Sequence, residues 1–180
     1  NTFDLMVPQN GNAIGIVVFF HGGSFLFNDK NDTYEEPFAS IVTNLLNQNV
    51  AVVNANYSFL NSSNSVGLTT SLSDGTLLLN HVRSIASGLD LNANKIILSG
   101  ASSGAGISLW NGLQAEHNQG VLGIVALATQ SSYNLYKWET LFPNISVDQI
   151  TQSNTEFQML FNLFYGCLLY TSPSPRDGLL

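Results

Sequence analysis

Cysteine is all but missing from this chain: 180 residues hold one, Cys167, in a tail whose composition breaks from what precedes it. Neither a disulfide framework nor thiol chemistry is expected from that. Charge is scarce as well. Charged residues make up 9% of the chain, against roughly a quarter in a typical soluble domain, and Asn and Ser take over the polar surface. Five Lys and Arg against 12 Asp and Glu leave a net charge of −7. With no basic cluster anywhere, nucleic acid and anionic membrane surfaces are poor partners. Long apolar runs are absent too. The longest, Ala13 to Phe20 (AIGIVVFF), has the length of a strand and falls well short of the roughly 20 residues of a membrane span. Nothing in the residue pattern calls for a cofactor or a metal.

Both ends read as foreign or cut. The chain opens NTFDLMVPQNG, without an initiator Met, as though taken from the middle of a longer protein. Cys167 to Asp177, CLLYTSPSPRD, resembles the translation of a transposase adapter used to prepare sequencing libraries; the plain alternative is a natural Ser/Pro-rich disordered tail. On the adapter reading, residues 1–166 are the natural part and 167–180 a non-native tail, to be kept out of fold reasoning. Four N-x-S/T sequons, at Asn31, Asn56, Asn61 and Asn144, are weak signals in an Asn-rich chain.

What is present is a rhythm of strands and helices. Thr2 to Val7 reads as a short strand, Ile14 to Phe20 and Val50 to Asn54 as strands buried on both faces. Ile96 to Leu98 and Val121 to Leu127 follow the same pattern. Between them the spacing predicts helices. One opens at Asp32 or Thr33 with a capping box to Glu35 and Glu36, Pro37 in its first turn and an apolar face of Phe38, Ile41, Val42, Leu45 and Leu46. A second runs from about Ser71 to Ser87, ended by Gly88, and a third from Ser103 to His117. Strands alternating with helices at this spacing predict a parallel sheet with right-handed crossovers. Beyond Thr129 the pattern turns helical, with capping boxes at Ser146 and Ser153. The second opens a helix carrying Phe157, Leu160, Phe161 and Phe164. Residues 129–166 therefore read as a lid-like excursion.

Chemistry concentrates in LSGASSGAG, Leu98 to Gly106. Gly100-Ala101-Ser102-Ser103-Gly104 fits G-x-S-x-G and stands between a buried strand and a helix, where that motif works. A nucleophile in such a sharp turn needs neighbours two residues to either side without a Cβ. Ser102 has glycine at both positions; Ser99 and Ser103 do not. Ser102 is thus the nucleophile candidate. Ser103 would offer a backbone N–H at the helix N-terminus, where donors are unpaired and the dipole favours negative charge. About 80 residues upstream, His21-Gly22-Gly23 follows the strand Ile14 to Phe20. Paired glycines let backbone N–H groups converge on one point, as a tetrahedral oxyanion requires; losing one such donor costs about 3 kcal/mol of transition-state stabilisation.

Taken together, VVFFHGGSF, VAVVNANYSF and LDLNANKIILSGASSGAGISLW resemble successive core elements of α/β-hydrolases. The nearest groups are hormone-sensitive-lipase-like esterases and type-B carboxylesterases. The resemblance covers about Asp4 to Leu127. It implies a three-layer α/β sandwich with a mostly parallel sheet, incomplete on its C-terminal side. It also implies a carboxylic ester hydrolase working through an acyl-enzyme on a small-molecule ester. Ser102 would attack the carbonyl, and Gly22, Gly23 and Ser103 would supply the oxyanion N–H groups. Two positions depart from the pattern: Ala101 stands where many relatives carry an acid, and Ser24 where many carry a third glycine.

A serine needs a general base, and the three histidines fit that role poorly. His21 precedes the glycine loop, where the resemblance makes it structural; His81 lies within a helix; His117 sits in a last helical turn, where a cation suits the dipole. In this fold the order is Ser, then Asp or Glu, then His. Glu139 and Asp148 come before the next expected strand, and neither is assigned. The expectation is an esterase cut before its acid and base, inert as it stands, with Val121 to Leu127 left as a hydrophobic sheet edge. A non-catalytic binding or receptor protein of the same fold, and an amidase or peptidase, are the alternatives. Phe25, Phe27, Tyr57, Phe59, Tyr133 and Trp138 could line an acyl pocket but read first as core.

Overall fold

The computed structural model describes residues 2–61, 67–129, 133, 135–155 and 158. Its frame is a sheet in the order β1-β3-β2-β4-β5 among the described residues. The buried runs form β2 (Gly15–Phe20), β3 (Val50–Ala55), β4 (Ile96–Ala101) and β5 (Val121–Leu127), all parallel, with Val18 level with Val53 and Leu98. β1 (Phe3–Met6) closes one edge antiparallel to β3. Helices α1 (Phe38–Asn47), α2 (Leu68–Ala86) and α3 (Ser103–Leu113) connect the strands; α4 (Leu135–Leu141) and α5 (Val147–Ser153) follow β5. Because β3 and β4 flank β2 on opposite sides, right-handed crossovers carry α1 and α2 to opposite faces. The result is three layers.

The two faces follow from the period of two along each strand. Ile16, Val18, Phe20, Ala51, Val53, Ala55, Ile96 and Leu98 point one way and form a closed core with Leu68, Leu72, Leu79 and Ile107 of α2 and α3. Val17, Phe19, Val52, Ile97, Val125 and Leu127 point the other way and line an apolar groove of about 470 Å³ shared with Phe38, Ile41, Val42 and Leu45 of α1. No residue of α1 is fully buried. β5 pairs with β4 on one side and leaves Leu122, Val125 and Leu127 exposed.

The helix expected from Asp32 divides in two. Lys30–Tyr34 is a 3-10 turn capped by Asp29, whose carboxylate accepts from the Asn31 N–H, and Glu35 is extended. Pro37 disfavours helical backbone at the residue before it, so the α-helix begins only at Phe38 and the capping box does not form. The turn is instead tied to the strands by side chains. Lys30 pairs with Asp4 at 2.5 Å, and Asn56 donates to Asp29 at 2.7 Å while accepting from the Lys30 N–H at 2.7 Å. The buried Asn54 amide donates to Thr33 and to the Lys30 carbonyl. Other boundaries shift by a few residues. α2 begins at Leu68 and gives way to a 3-10 turn at Ser87; the left-handed residue that ends it is Asp90, not Gly88. α3 stops at Leu113, before His117. Ser146 caps α5 as expected, whereas Ser153 is the last residue of that helix. Phe157, Leu160, Phe161 and Phe164 lie outside the described residues.

Helices α2 and α3 meet at a small residue. A Cβ at Gly75 would overlap the Asn111 amide and approach Ile107 Cγ2 to 2.7 Å. Asn111 cannot swing aside without losing its bonds to the Leu72 and Ile107 carbonyls. Overpacking of this kind costs about 1–3 kcal/mol. Gly75→Ala should therefore lower the unfolding free energy by about that amount, read as a lower urea midpoint at unchanged slope. Gly88→Ala, with nothing within 4 Å of its added carbon, should stay within about 0.5 kcal/mol of the parent.

Candidate active site

At the end of β4 the chain turns at a single residue. Ser102 has φ 50° and ψ −115°, a conformation that L-residues adopt only when their surroundings hold them there. Two hydrogen bonds do so: its N–H donates to the Leu127 carbonyl at 2.8 Å, and its carbonyl accepts from the Gly106 N–H at 3.1 Å. α3 starts immediately, at Ser103. The flanking glycines are required by contact. A Cβ on Gly100 would overlap the backbone of Gly104, and one on Gly104 would overlap the carbonyl oxygens of Phe20 and His21. The first turn of α3 is thus pressed against the end of β2, and Ser102 stays half-buried, within reach of solvent.

The glycine loop lies beside it. An ideal Cβ on Gly22 would stand 3.6 Å from Ser102 Cβ and 3.3 Å from the Ala101 carbonyl, so Gly22 is in contact with the turn. Gly23 (φ 117°), Ser24 (φ 54°) and Phe25 (φ 61°) are all left-handed. This explains why glycine suits position 24 and shows that Ser24 takes the same conformation without it. The loop closes on itself through Leu26 and Phe27 N–H groups bonded to the Gly23 carbonyl, and the Leu60 N–H reaches the Phe25 carbonyl at 2.8 Å.

Beneath loop and turn sits Tyr57, two residues past β3 and 3% exposed. Its hydroxyl lies 3.0 Å from the His21 carbonyl, 3.2 Å from the Gly22 carbonyl and 3.0 Å from Ser103 Oγ. The His21 ring stacks on it with centroids 4.5 Å apart and turns Nδ1 to the Gly22 carbonyl at 2.6 Å. Of the aromatics considered as pocket walls, Phe25, Tyr57 and Tyr133 are core, while Phe27 is 56% exposed. Tyr133, just beyond β5, packs edge-on against Phe25 at 5.7 Å and fills the space over Gly106.

The structure brings Ser102, Ser103 and Gly22 together, while Gly23, the next residue along, packs against Phe27 and Asn28. The other histidines lie elsewhere. His117 precedes β5 and shares its carbonyl with Arg83, at the opposite end of the sheet, roughly 20 Å along the strands. His81 meets Phe3 edge-on, and β1 is three strand spacings from β4, roughly 14 Å. Glu139 accepts from the Val147 N–H and Asp148 from the Tyr136 hydroxyl, both within the α4–α5 segment. Among the described residues no group of three His, Cys, Asp or Glu is placed to hold a metal ion, and no helix is long and apolar enough to cross a membrane.

The sequence of the BD-FAE family matches residues 3–158. The chain belongs to this family of α/β-hydrolase-like esterases. Solved structures agree on the fold of this BD-FAE chain. Butyrate-bound esterase 2 of the planctomycete Thermogutta terrifontis superposes with a TM-score of 0.64 at 15% identity, covering 91% of this chain and 58% of the esterase. An arylesterase gives 0.60 at 19%, covering 74% and 42%. The same Thermogutta esterase phosphoramylated by tabun gives 0.53 at 18%, covering 61% and 40%. The BD-FAE chain thus spans about two fifths to three fifths of these structures' lengths. A comparison with curated proteins finds no match.

Tyr57 is the residue that the sequence pattern missed as part of the site. Burial pushes its hydroxyl up to about 12, against a lowering from the Ser103 bond; burial raises Tyr133 as well. A proton held more tightly in the folded state than at the ordinary value of about 10 stabilises the fold below pH 10, and that contribution is lost between pH 10 and 12. Urea midpoints should therefore be flat as pH 10 is approached and fall above it. Tyr57→Phe should shallow that fall, leaving the part due to Tyr133. An alkaline slope identical in the variant would contradict the placement of this hydroxyl.

Proposed function

We propose that the parent protein is a serine carboxylic ester hydrolase in which Ser102 forms the acyl-enzyme and the N–H groups of Gly22, Gly23 and Ser103 receive the oxyanion. The observation that carries the reading is the left-handed turn at Ser102 with the backbone of Gly22 packed against it. A hydroxyl raised on such a turn is open to an ester carbonyl, while the adjoining amides are already fixed. Fixed donors stabilise the charge that develops on the carbonyl oxygen without reorganising as it forms. Ser103 contributes because the first N–H of a helix has no acceptor within its own helix, and the dipole of α3 favours negative charge there. The Ser102 N–H is already spent on Leu127, so it is not one of the donors.

In the reaction Ser102 Oγ bonds to the carbonyl carbon as its proton passes to a base. Collapse of the tetrahedral adduct expels the alcohol, which takes up that proton. Water then attacks the acyl-enzyme by the same route and releases the acid. None of His21, His81 and His117 is assigned as that base: the His21 ring is engaged with Tyr57 and the Gly22 carbonyl, His81 meets Phe3, and His117 lies at the opposite end of the sheet. The ester class is supported by membership in an esterase family and by an esterase neighbour that reacts with tabun, an organophosphate of the kind that traps activated hydroxyls. Residues 129–166 would form a lid over this end of the sheet, which is supported by Tyr133 packing on Phe25 beside the glycine loop.

The full-length reading frame should hydrolyse short-chain p-nitrophenyl esters and take up a fluorophosphonate on the peptide bearing Ser102. Ser102→Ala should lower kcat by at least 10³-fold, since removing the nucleophile leaves only binding and oxyanion stabilisation. The 180-residue chain alone should show no turnover. Turnover that survives Ser102→Ala, or a label on another residue, would rule out Ser102 as nucleophile.

A further inference from the structure

We propose that Tyr57 is a positioning residue for the oxyanion site, a role that rests on the hydrolase reading above and deepens it. Its hydroxyl has one proton and three neighbours. The His21 and Gly22 carbonyls can only accept, so the tyrosine proton is shared between them at 3.0 and 3.2 Å. The third neighbour, Ser103 Oγ at 3.0 Å, must then donate its own proton to the tyrosine oxygen. One atom thereby holds both halves of the site: the glycine loop after β2 and the first residue of α3.

Planarity turns this into control of the amides. In a trans peptide the N–H points opposite to the C=O. Drawing the His21 carbonyl to Tyr57 turns the Gly22 N–H away from it, and drawing in the Gly22 carbonyl does the same for the Gly23 N–H. Gly22 lies beside Ser102, 3.6 Å from its Cβ as measured to an ideal Cβ on the glycine. His21 reinforces the arrangement. Its Nδ1 lies 2.6 Å from the Gly22 carbonyl and donates to it, while Nε2 is buried without a partner among the described residues. The Tyr57 ring is packed among the rings of His21, Phe25 and Phe59, and its hydroxyl is buried with it, surroundings in which hydrogen bonds are strong.

The test is Tyr57→Phe in the full-length protein, which keeps the ring and removes only the hydroxyl. With turnover of a p-nitrophenyl ester expressed per site titrated by a fluorophosphonate, kcat should fall about 10- to 100-fold, less than or similar to removal of one oxyanion donor. KM should stay within about twofold, because the held amides act on the transition state. Ser103→Ala, which retains its N–H, should lower kcat by a smaller factor. The double variant should be no slower than Tyr57→Phe, since both act through one contact. A tyrosine that merely fills space would lower the number of titratable sites and leave kcat per site unchanged. That result, or a rise in KM alone, overturns the proposal. Should Tyr57→Phe fail to fold, Ser103→Ala carries the test: unchanged kcat per site overturns it. Turnover indifferent to Ser102→Ala defeats the hydrolase reading itself, whereas Ser102-dependent turnover indifferent to Tyr57→Phe defeats only the positioning role.

Discussion

The candidate site depends on a place where two stretches of backbone touch with no side chain between them. Gly104, in the first turn of α3, lies against the carbonyls of Phe20 and His21, and Gly100 lies against Gly104. A methyl group at either position would lift α3 off the sheet. With α3 seated, Ser102 has no room for an ordinary turn, and it takes the left-handed conformation at a cost of about 1–3 kcal/mol. The cost is met by surroundings that over-determine the turn: α3 buries Ser103 to Ser108 against the core, and β5 supplies the carbonyl for the Ser102 N–H. Strain at the serine is thus a consequence of helix–sheet packing.

The scarcity of charge gives this site its electrical character. Charged groups near the loop are each hydrogen-bonded at the rim. Lys30 holds Asp4 below the usual carboxylate range, and the Asn31 N–H and Asn56 amide do the same for Asp29. Arg83, on α2, is spent on the carbonyls of His117 and Gln119. What remains at Ser102 is a set of backbone dipoles, fixed by peptide planarity and by the start of α3. Such dipoles need no counter-ion and cost little to bury once their other ends are bonded, which is what Tyr57 does for the His21 and Gly22 carbonyls.

All five strands and the turn at Ser102 were legible because each rests on a local pattern. β2 to β5 each hold an apolar run rich in β-branched residues, and G-x-S-x-G states in glycines the contacts that α3 will make. The helix from Asp32 was misjudged because two local signals disagreed there: a capping box promised a start that Pro37 forbade, and side-chain bonds to Asp4, Asn54 and Asn56 settled the turn. Those partners come from β1 and the end of β3, far along the chain, and no window of sequence displays them. Tyr57 was illegible for the same reason. Its neighbours in sequence mark it as one more aromatic after a strand, and its three hydrogen bonds exist only once β3 lies beside β2 and α3 covers both. Ser24 and Phe25 show a further limit. Their left-handed backbone follows from loop closure, which overrides the preference of either residue type.

The two faces of the sheet are finished to different degrees, and the difference bears on which contacts hold the site. On the α2–α3 face, Val18, Val53, Ile96 and Leu98 are fully enclosed, together with Leu68, Leu72 and Leu79. On the α1 face an apolar groove remains, continuous with the exposed side chains of β5. Ser102, the glycine loop and Tyr57 are all tied to the finished face. Gly100 points toward α3, Phe20 into the closed core, and Tyr57 toward Ser103. The geometry that matters for chemistry is therefore set by the complete layer and does not wait for the other. Whatever lies against the α1 face can alter stability, solubility or access to the site, but the turn at Ser102 and the amides beside it are fixed from the opposite side.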